Sequence, residues 1–228
     1  MSRDEHSSSS LTRSRRLVIA LWAITLWAIA AAGCMGGGRQ IRVDFSEAPR
    51  AYVAKDYGQV YERWTRHEYA LTGVDKALEV WGTFKSWDFR EAYIERYASI
   101  YNLSAADRTS LRQAQLDAYE RAYEFTVTAL AHEYRWNDLE KASSAWRVTL
   151  LDALGHELAP KEIKVEKFPD AYEREFFPAR NQFNRVFTKN YAIRFVVPAS
   201  GEFAGVKSGA LTLRFASPIG RIDLGWQG

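Results

Sequence analysis

Tyr191-Ala-Ile-Arg-Phe-Val-Val197 and Leu211-Thr-Leu-Arg-Phe-Ala-Ser-Pro-Ile-Gly-Arg-Ile-Asp-Leu-Gly-Trp226 decide the fold of this chain. In the first stretch Tyr191, Ile193, Phe195 and Val197 fall on one face. In the second, Leu211, Leu213 and Phe215 share a face, and so do Ile222, Leu224 and Trp226. Side chains on a strand alternate between faces, so an apolar set of period two with polar residues between marks an antiparallel strand with one buried side. Ser217-Pro218-Ile219-Gly220 sits between the last two sets and suits a tight hairpin turn. Several such strands at short spacing point to a sandwich.

Upstream the same reasoning gives further elements. Tyr57, Val60, Tyr61 and Trp64 lie at i, i+3, i+4 and i+7, a helical spacing. Leu78, Val80, Gly82 and Phe84 alternate, which predicts a strand over Ala77 to Phe84. Trp87 to Tyr101 returns to helical spacing. Ser104, with Asp107 three residues on, reads as the N-cap of a helix from Ala105 to about Tyr123, with Leu111, Ala114, Ala118 and Ala122 along one face. Phe125 to Thr128 and Trp146 to Leu150 are rich in aromatic and β-branched residues and read as strands. Arg135 to Ser144 is loop-like, Asp152 to Gly155 a turn, and Ile163 and Val165 alternate with Lys and Glu. Pro169 and Pro178 bracket a short helical connection. The expected fold is α+β: mainly an antiparallel β-sandwich, immunoglobulin-like in its finer form, with a helical insertion at about 87–122. The rival is a helical N-terminal half through residue 158 followed by a small sheet.

The N-terminal end carries a different signal. Arg13, Arg15 and Arg16 precede Leu17 to Ala32, 16 residues interrupted in their apolar character only by Thr25. The run ends Ala30-Ala31-Ala32-Gly33-Cys34, and Cys34 is the single cysteine. At about 1.5 Å per residue the run reaches about 24 Å, short of the about 30 Å of a bilayer's hydrocarbon core. A basic start, an apolar stretch and small residues at its end describe a secretory signal.

Ala31-Ala32-Gly33-Cys34 resembles the lipobox of bacterial lipoproteins, although Ala31 stands where that motif has Leu, Val or Ile. The resemblance implies that residues 1–33 are a signal peptide, that the Cys34 thiol receives a diacylglyceryl group, and that cleavage makes Cys34 the first residue of the mature chain. Two or more acyl chains hold a protein on a membrane lastingly. An uncleaved N-terminal anchor and ordinary cleavage near Ala32 are the alternatives. Residues 34–48, with Gly36-Gly37-Gly38, read as a lipidated flexible tether, and 49–228 as one globular envelope domain. Met35 is not the Asp that retains lipoproteins at the inner membrane of enteric bacteria, so the outer membrane is preferred.

Removal of residues 1–33 leaves 195 of 228 residues and takes +2 of the +3 net charge with it. A nearly neutral domain gives no electrostatic case for binding nucleic acid, which needs a clustered basic face. The expected partners are the membrane, through Cys34, and an envelope protein or glycan.

Chemical motifs are sparse. His67, His132 and His156 are each followed by Glu, but none has a second His four residues on, so the helical zinc site is missing. There is no nucleophile elbow and no glycine-rich phosphate loop. Asp88, Glu91 and Glu95 beside Trp87 read as a solvated helix face. His67-Glu68-Tyr69 recurs as His132-Glu133-Tyr134, and Lys76-Ala77 with Trp81 as Lys141-Ala142 with Trp146, at a constant offset, yet flanking residues do not match. Trp136-Asn137-Asp138-Leu139 with Ser144 and Trp146, Trp64-Thr65-Arg66 and Leu224-Gly225-Trp226 together resemble a family of uncharacterised lipoproteins from myxobacteria and their relatives. That family implies no activity and no site. Asn137 and Asp138 are expected to shape the loop between two strands. No catalytic, cofactor or metal residue is assigned, and Cys34 is the one site residue. The leading function is a lipid-anchored cell-envelope protein with a structural or partner-binding role. An envelope hydrolase acting on glycans is one alternative; a lipoprotein that binds glycans or small ligands through exposed Trp is another.

Overall fold

The computed structural model of the chain describes residues 41–46, 51–178, 187–199 and 201–228. The expected signal segment and Cys34 lie outside the described residues. The elements are α1 (Tyr57–Trp64), β1 (Thr65–Thr72), β2 (Asp75–Phe84), α2 (Trp87–Tyr101), α3 (Ala105–Arg121), β3 (Ala122–Leu130), β4 (Arg147–Asp152), β5 (Glu157–Leu158), β6 (Glu162–Glu166), α4 (Asp170–Phe176), β7 (Thr188–Val196), β8 (Ala210–Ser217) and β9 (Gly220–Gln227). The fold is α+β. Its strands form two antiparallel sheets, one of five strands in the order β1-β2-β3-β7-β6 and one of four in the order β5-β4-β8-β9. The rival arrangement, helical through residue 158, is excluded by β1 to β5.

The period-two sets are the inner faces. Phe84, Phe125, Ile193 and Phe195 of one sheet and Leu213, Phe215, Leu224 and Trp226 of the other are all buried. The Trp226 ring lies 5.3 Å from Phe125 and 6.1 Å from Phe84, centroid to centroid. Each such side chain contributes about 1.5–3 kcal/mol on burial. Ser217 pairs with Gly220, so Pro218 and Ile219 form the expected two-residue turn. Gly82 is inward-facing, and a Cβ there would stand 2.5 Å from Leu224 Cδ1. A residue with a Cβ at this position would have to displace the Leu224 side chain. Val197 lies beyond the end of β7 and is exposed, so the inward set of that strand stops at Phe195.

The helices pack at the margin of the five-stranded sheet. Tyr57, Val60, Tyr61 and Trp64 of α1 are all buried, as their spacing predicts. Between β2 and β3 stands the expected two-helix insertion. The side chain of Ser86 caps α2 by accepting from Phe89 N, and that of Ser104 caps α3 by accepting from Asp107 N. The predicted apolar face of α3 is corrected: no residue of α3 is buried, the helix ends at Arg121, and Ala122 and Tyr123 already belong to β3. Polar contacts hold α3 instead. Buried Arg90 donates to Gln115 Oε1 at 2.6 Å and to Glu124 Oε2 at 2.8 Å, Arg108 pairs with Glu95 and Arg112 with Glu91, and Trp87 packs on Tyr119.

Residues 41–46, within the expected tether, lie against the domain. Arg42 forms a parallel bridge with Gln227, Val43 N donates to Gln227 O, and Val43 is buried. Arg66 ties this entry to the seam between β1 and β9, donating to Gly225 O at 2.8 Å and to Ile41 O at 3.1 Å.

Candidate functional site

The outer face of β1 and β2, near their shared turn, gathers several titratable side chains beside a cavity. Antiparallel pairing sets His67 opposite Trp81 and Tyr69 opposite Glu79. His67 stacks on Trp81 with ring centroids 4.5 Å apart and planes within 7°. The His67 Nε2 and the Lys76 Nζ both bind Glu79 Oε1, at 2.8 and 2.7 Å. The Glu79 side chain is 6% exposed, a carboxylate held inside the protein by a cation and an imidazole. Lys76 also lies over the Tyr69 ring, 4.8 Å from its centroid.

Beside Glu79 opens a cleft of about 450 Å³, within the range of small-ligand pockets. Its polar lining is Asp75, Lys76, Glu79 and His132; its apolar lining is Val74, Leu130, Ala131 and Phe187. β3 ends at Leu130 next to Glu79 in register, which brings His132 to the rim. Glu79, a residue that sequence reasoning did not single out, thus binds His67 and lines the same cleft as His132. The signal was faint: Glu79 is one polar residue in an apolar strand. His156 lies elsewhere, with its Nδ1 3.0 Å from Asp152 Oδ2. Among the described residues no group of three or more His, Cys, Asp or Glu could hold a metal ion.

The acidic helix end is corrected in part. Asp88 is buried, accepting from Trp64 Nε1 at 2.6 Å, from Arg63 Nη1 at 3.2 Å and from the Tyr52 hydroxyl. Glu91 is buried as well and pairs with Arg112. These carboxylates anchor α1 and α3 to α2 and are not a solvated face. Asn137 performs the loop role expected of it. It is fully buried, donates from Nδ2 to Ala129 O and Phe187 O, and accepts from the Tyr191 hydroxyl at 2.8 Å. Asp138 accepts from Ser144.

Asp152 is a further buried carboxylate. Burial opposes its charge, but hydrogen bonds from the His156 ring and from the backbone N–H groups of Ala204, His156 and Leu154 outweigh that and hold the carboxyl below the usual carboxylate range. Its hydrogen bonds fix the β4–β5 turn. Nearby Ser208 Oγ accepts from Ala153 N and is directed at the carbonyls of Gly205 and Ala210.

The repeated His-Glu-Tyr stretches adopt different structures, one in β1 and the other at the turn after β3. They are not copies of one structural unit. Of the tryptophans in the described residues, Trp64, Trp81, Trp87, Trp146 and Trp226 are buried and Trp136 is half-buried. The described domain thus offers no exposed Trp platform.

No protein-family model matches the chain, and no curated protein matches it. Among solved structures, the crystal structure of a novel protein of unknown function from Burkholderia pseudomallei aligns with 78% of this chain and 93% of its own. The identity is 12% and the TM-score 0.38.

Proposed function

We propose that the chain is a bacterial lipoprotein, released from residues 1–33, lipidated on Cys34, and carrying a cell-envelope domain that binds a partner or ligand. The observation behind this reading is the order Arg13 to Arg16, the 16-residue apolar run, and Ala31-Ala32-Gly33 before the single cysteine. An exported chain with one lone thiol cannot close an internal disulfide, and lipidation gives that thiol a use. Among the described residues no helix is long and apolar enough to cross a membrane. Met35 favours the outer membrane over the inner.

The cleft beside Glu79 supports a binding role over a purely structural one: it has apolar walls and converging polar groups. A glycan hydrolase is the weaker reading, because the buried Asp88 and Asp152 are engaged in fixing neighbouring elements.

Metabolic labelling with palmitate tests the anchor. Label on the wild-type chain that disappears in Cys34→Ser supports it. Label that persists in Cys34→Ser, or never appears on the wild type, contradicts it.

A further inference from the structure

We infer that the outer edge of β9 is a docking site for an extended peptide strand of a partner, and that residues 41–46 occupy this site in cis. The inference names the surface for the partner-binding role proposed above and rests on that reading, but not on the lipid anchor. The segment already seated on β9 sets the chemistry of recognition. Its burial alternates: Val43 is buried and Phe45 half-buried, whereas Arg42, Asp44 and Ser46 are exposed. That is a strand with an apolar pair two residues apart on one side. Its backbone adds to the end of β9 in parallel, with Arg42 bridging Gln227 and Val43 N donating to Gln227 O at 2.7 Å. Val43 joins the core, and the Phe45 ring lies 5.7 Å from that of Trp64 and 6.5 Å from that of Phe84. Main-chain bonds to a sheet edge, with seats for alternate side chains, are the parts from which peptide recognition by strand addition is built.

Three features make the seated segment replaceable. On its inner side β9 pairs with β8 over eight residue pairs, whereas residues 41–46 meet it through one isolated bridge. Next along the edge, Gly225 O is taken by the Arg66 side chain and not by a strand, and the same guanidinium reaches Ile41 O. A side chain with several N–H donors can turn them to the carbonyl of an incoming strand without disturbing the sheet. Finally, six residues are ordered for one buried and one half-buried side chain. Fixing that much backbone for so little contact makes release of the segment one of the low-cost openings of the fold. A partner strand with an apolar pair at the same spacing, and a free N–H on the first of the two, makes the same contacts. Until it does so, the covalently joined segment holds the edge at high effective concentration.

The test uses the full chain carrying Cys34→Ser, held in detergent, and follows the indole N–H NMR signals of Trp64, which packs on Phe45, and Trp226, which precedes Gln227. The probe is a capped peptide of the chain's own residues 39–46, Arg-Gln-Ile-Arg-Val-Asp-Phe-Ser. A second peptide carries Val43→Pro, which stays apolar but loses the N–H that donates to Gln227 O. In the chain, Val43→Asp with Phe45→Asp releases the cis segment and leaves every residue of its seat unchanged. That variant is expected to bind the probe saturably and at least tenfold tighter than the chain with its native segment. The proline peptide is expected to bind it at least tenfold more weakly than the probe. Val43→Ser alone is the milder second variant and is expected to fall between the native and doubly substituted chains. Equal affinity of native and substituted chains, no saturable shift in a folded variant, or equal binding of the two peptides overturns the inference. Loss of the fold in both variants also overturns it, because the segment is then a fixed part of the core and not a replaceable occupant. Each of those results leaves acylation of Cys34 and binding at another face of the domain standing, and absence of acylation leaves the peptide result standing.

Discussion

The indole Nε1 of Trp226 donates to the backbone carbonyl of Trp64 across 2.9 Å, joining residues 162 positions apart. Trp64 in turn donates its own Nε1 to Asp88 Oδ2 at 2.6 Å. The last strand, α1 and the start of α2 are thereby linked through two buried indoles. Trp226→Phe keeps most of the apolar volume and removes the donor, leaving a buried carbonyl unmatched. The expected cost is about 1–3 kcal/mol, read from chemical denaturation of the Cys34→Ser chain. A cost below about 0.5 kcal/mol means the hydrogen bond contributes nothing measurable.

Gly82 and Leu224 form a second link between the sheets, and it depends on an absent side chain. Gly82→Ala drives a Cβ toward Leu224 Cδ1 and is expected to cost about 1–3 kcal/mol. Leu224→Ala alone opens a cavity worth about 2–5 kcal/mol. The double variant is expected to be more stable than the sum of the two losses predicts, because each change relieves the other. Strict additivity in that cycle contradicts the close approach.

Asp152 makes stability depend on acid. Its folded carboxyl is held below the usual range, so its ionised form stabilises the fold above the unfolded value of about 3.9. That contribution is lost as pH falls through the lower folded value. Wild-type stability is therefore expected to drop steeply below about pH 4. Asp152→Asn is expected to be less stable at pH 7 by about 2–4 kcal/mol, with a shallower fall in acid. Parallel acid limbs for the two chains rule out this role.

Within the insertion, α3 buries no residue and is held mainly by ion pairs and hydrogen bonds to α2 and β3. Arg90→Ala removes the donor shared by Gln115, Glu124 and the Lys85 carbonyl and is expected to cost about 2–4 kcal/mol. Leu111→Ala, on the helix face that buries nothing, is expected to cost less than about 1 kcal/mol. The reverse order in a thermal melt contradicts the structural account of α3.

These residues explain what was legible in the sequence. β7, β8 and β9 bury one face and wet the other, so Tyr191 to Phe195 and Leu211 to Trp226 print their period directly. β1 leaves no such print: of Thr65 to Thr72 only Ala70 is buried, and the strand is an edge with a register shift at Ala70–Leu71. The alanine stripe of α3 misled because a charged neighbour, not a core, receives that helix. Asp88 resembled a surface acid because its partners Trp64 and Arg63 belong to another element. The cleft was least legible, since Glu79 reaches His67 and comes to line one cleft with His132 only once three strands are in register. Trp64-Thr65-Arg66 and Leu224-Gly225-Trp226, quoted apart in the sequence, are in contact: the Arg66 guanidinium lies 5.7 Å from the Trp226 ring centroid.

The anchor remains the central claim, and the mass of the mature N-terminus tests it most directly. The full chain is expressed in a bacterium with a lipoprotein-processing pathway, extracted from membranes and digested, and the N-terminal peptide is weighed. The account predicts that this peptide begins at Cys34 and carries the mass of a diacylglyceryl group, with or without an amide-linked acyl chain. A peptide that retains residues of the Leu17–Ala32 run, or one that carries Cys34 as a free thiol, contradicts it.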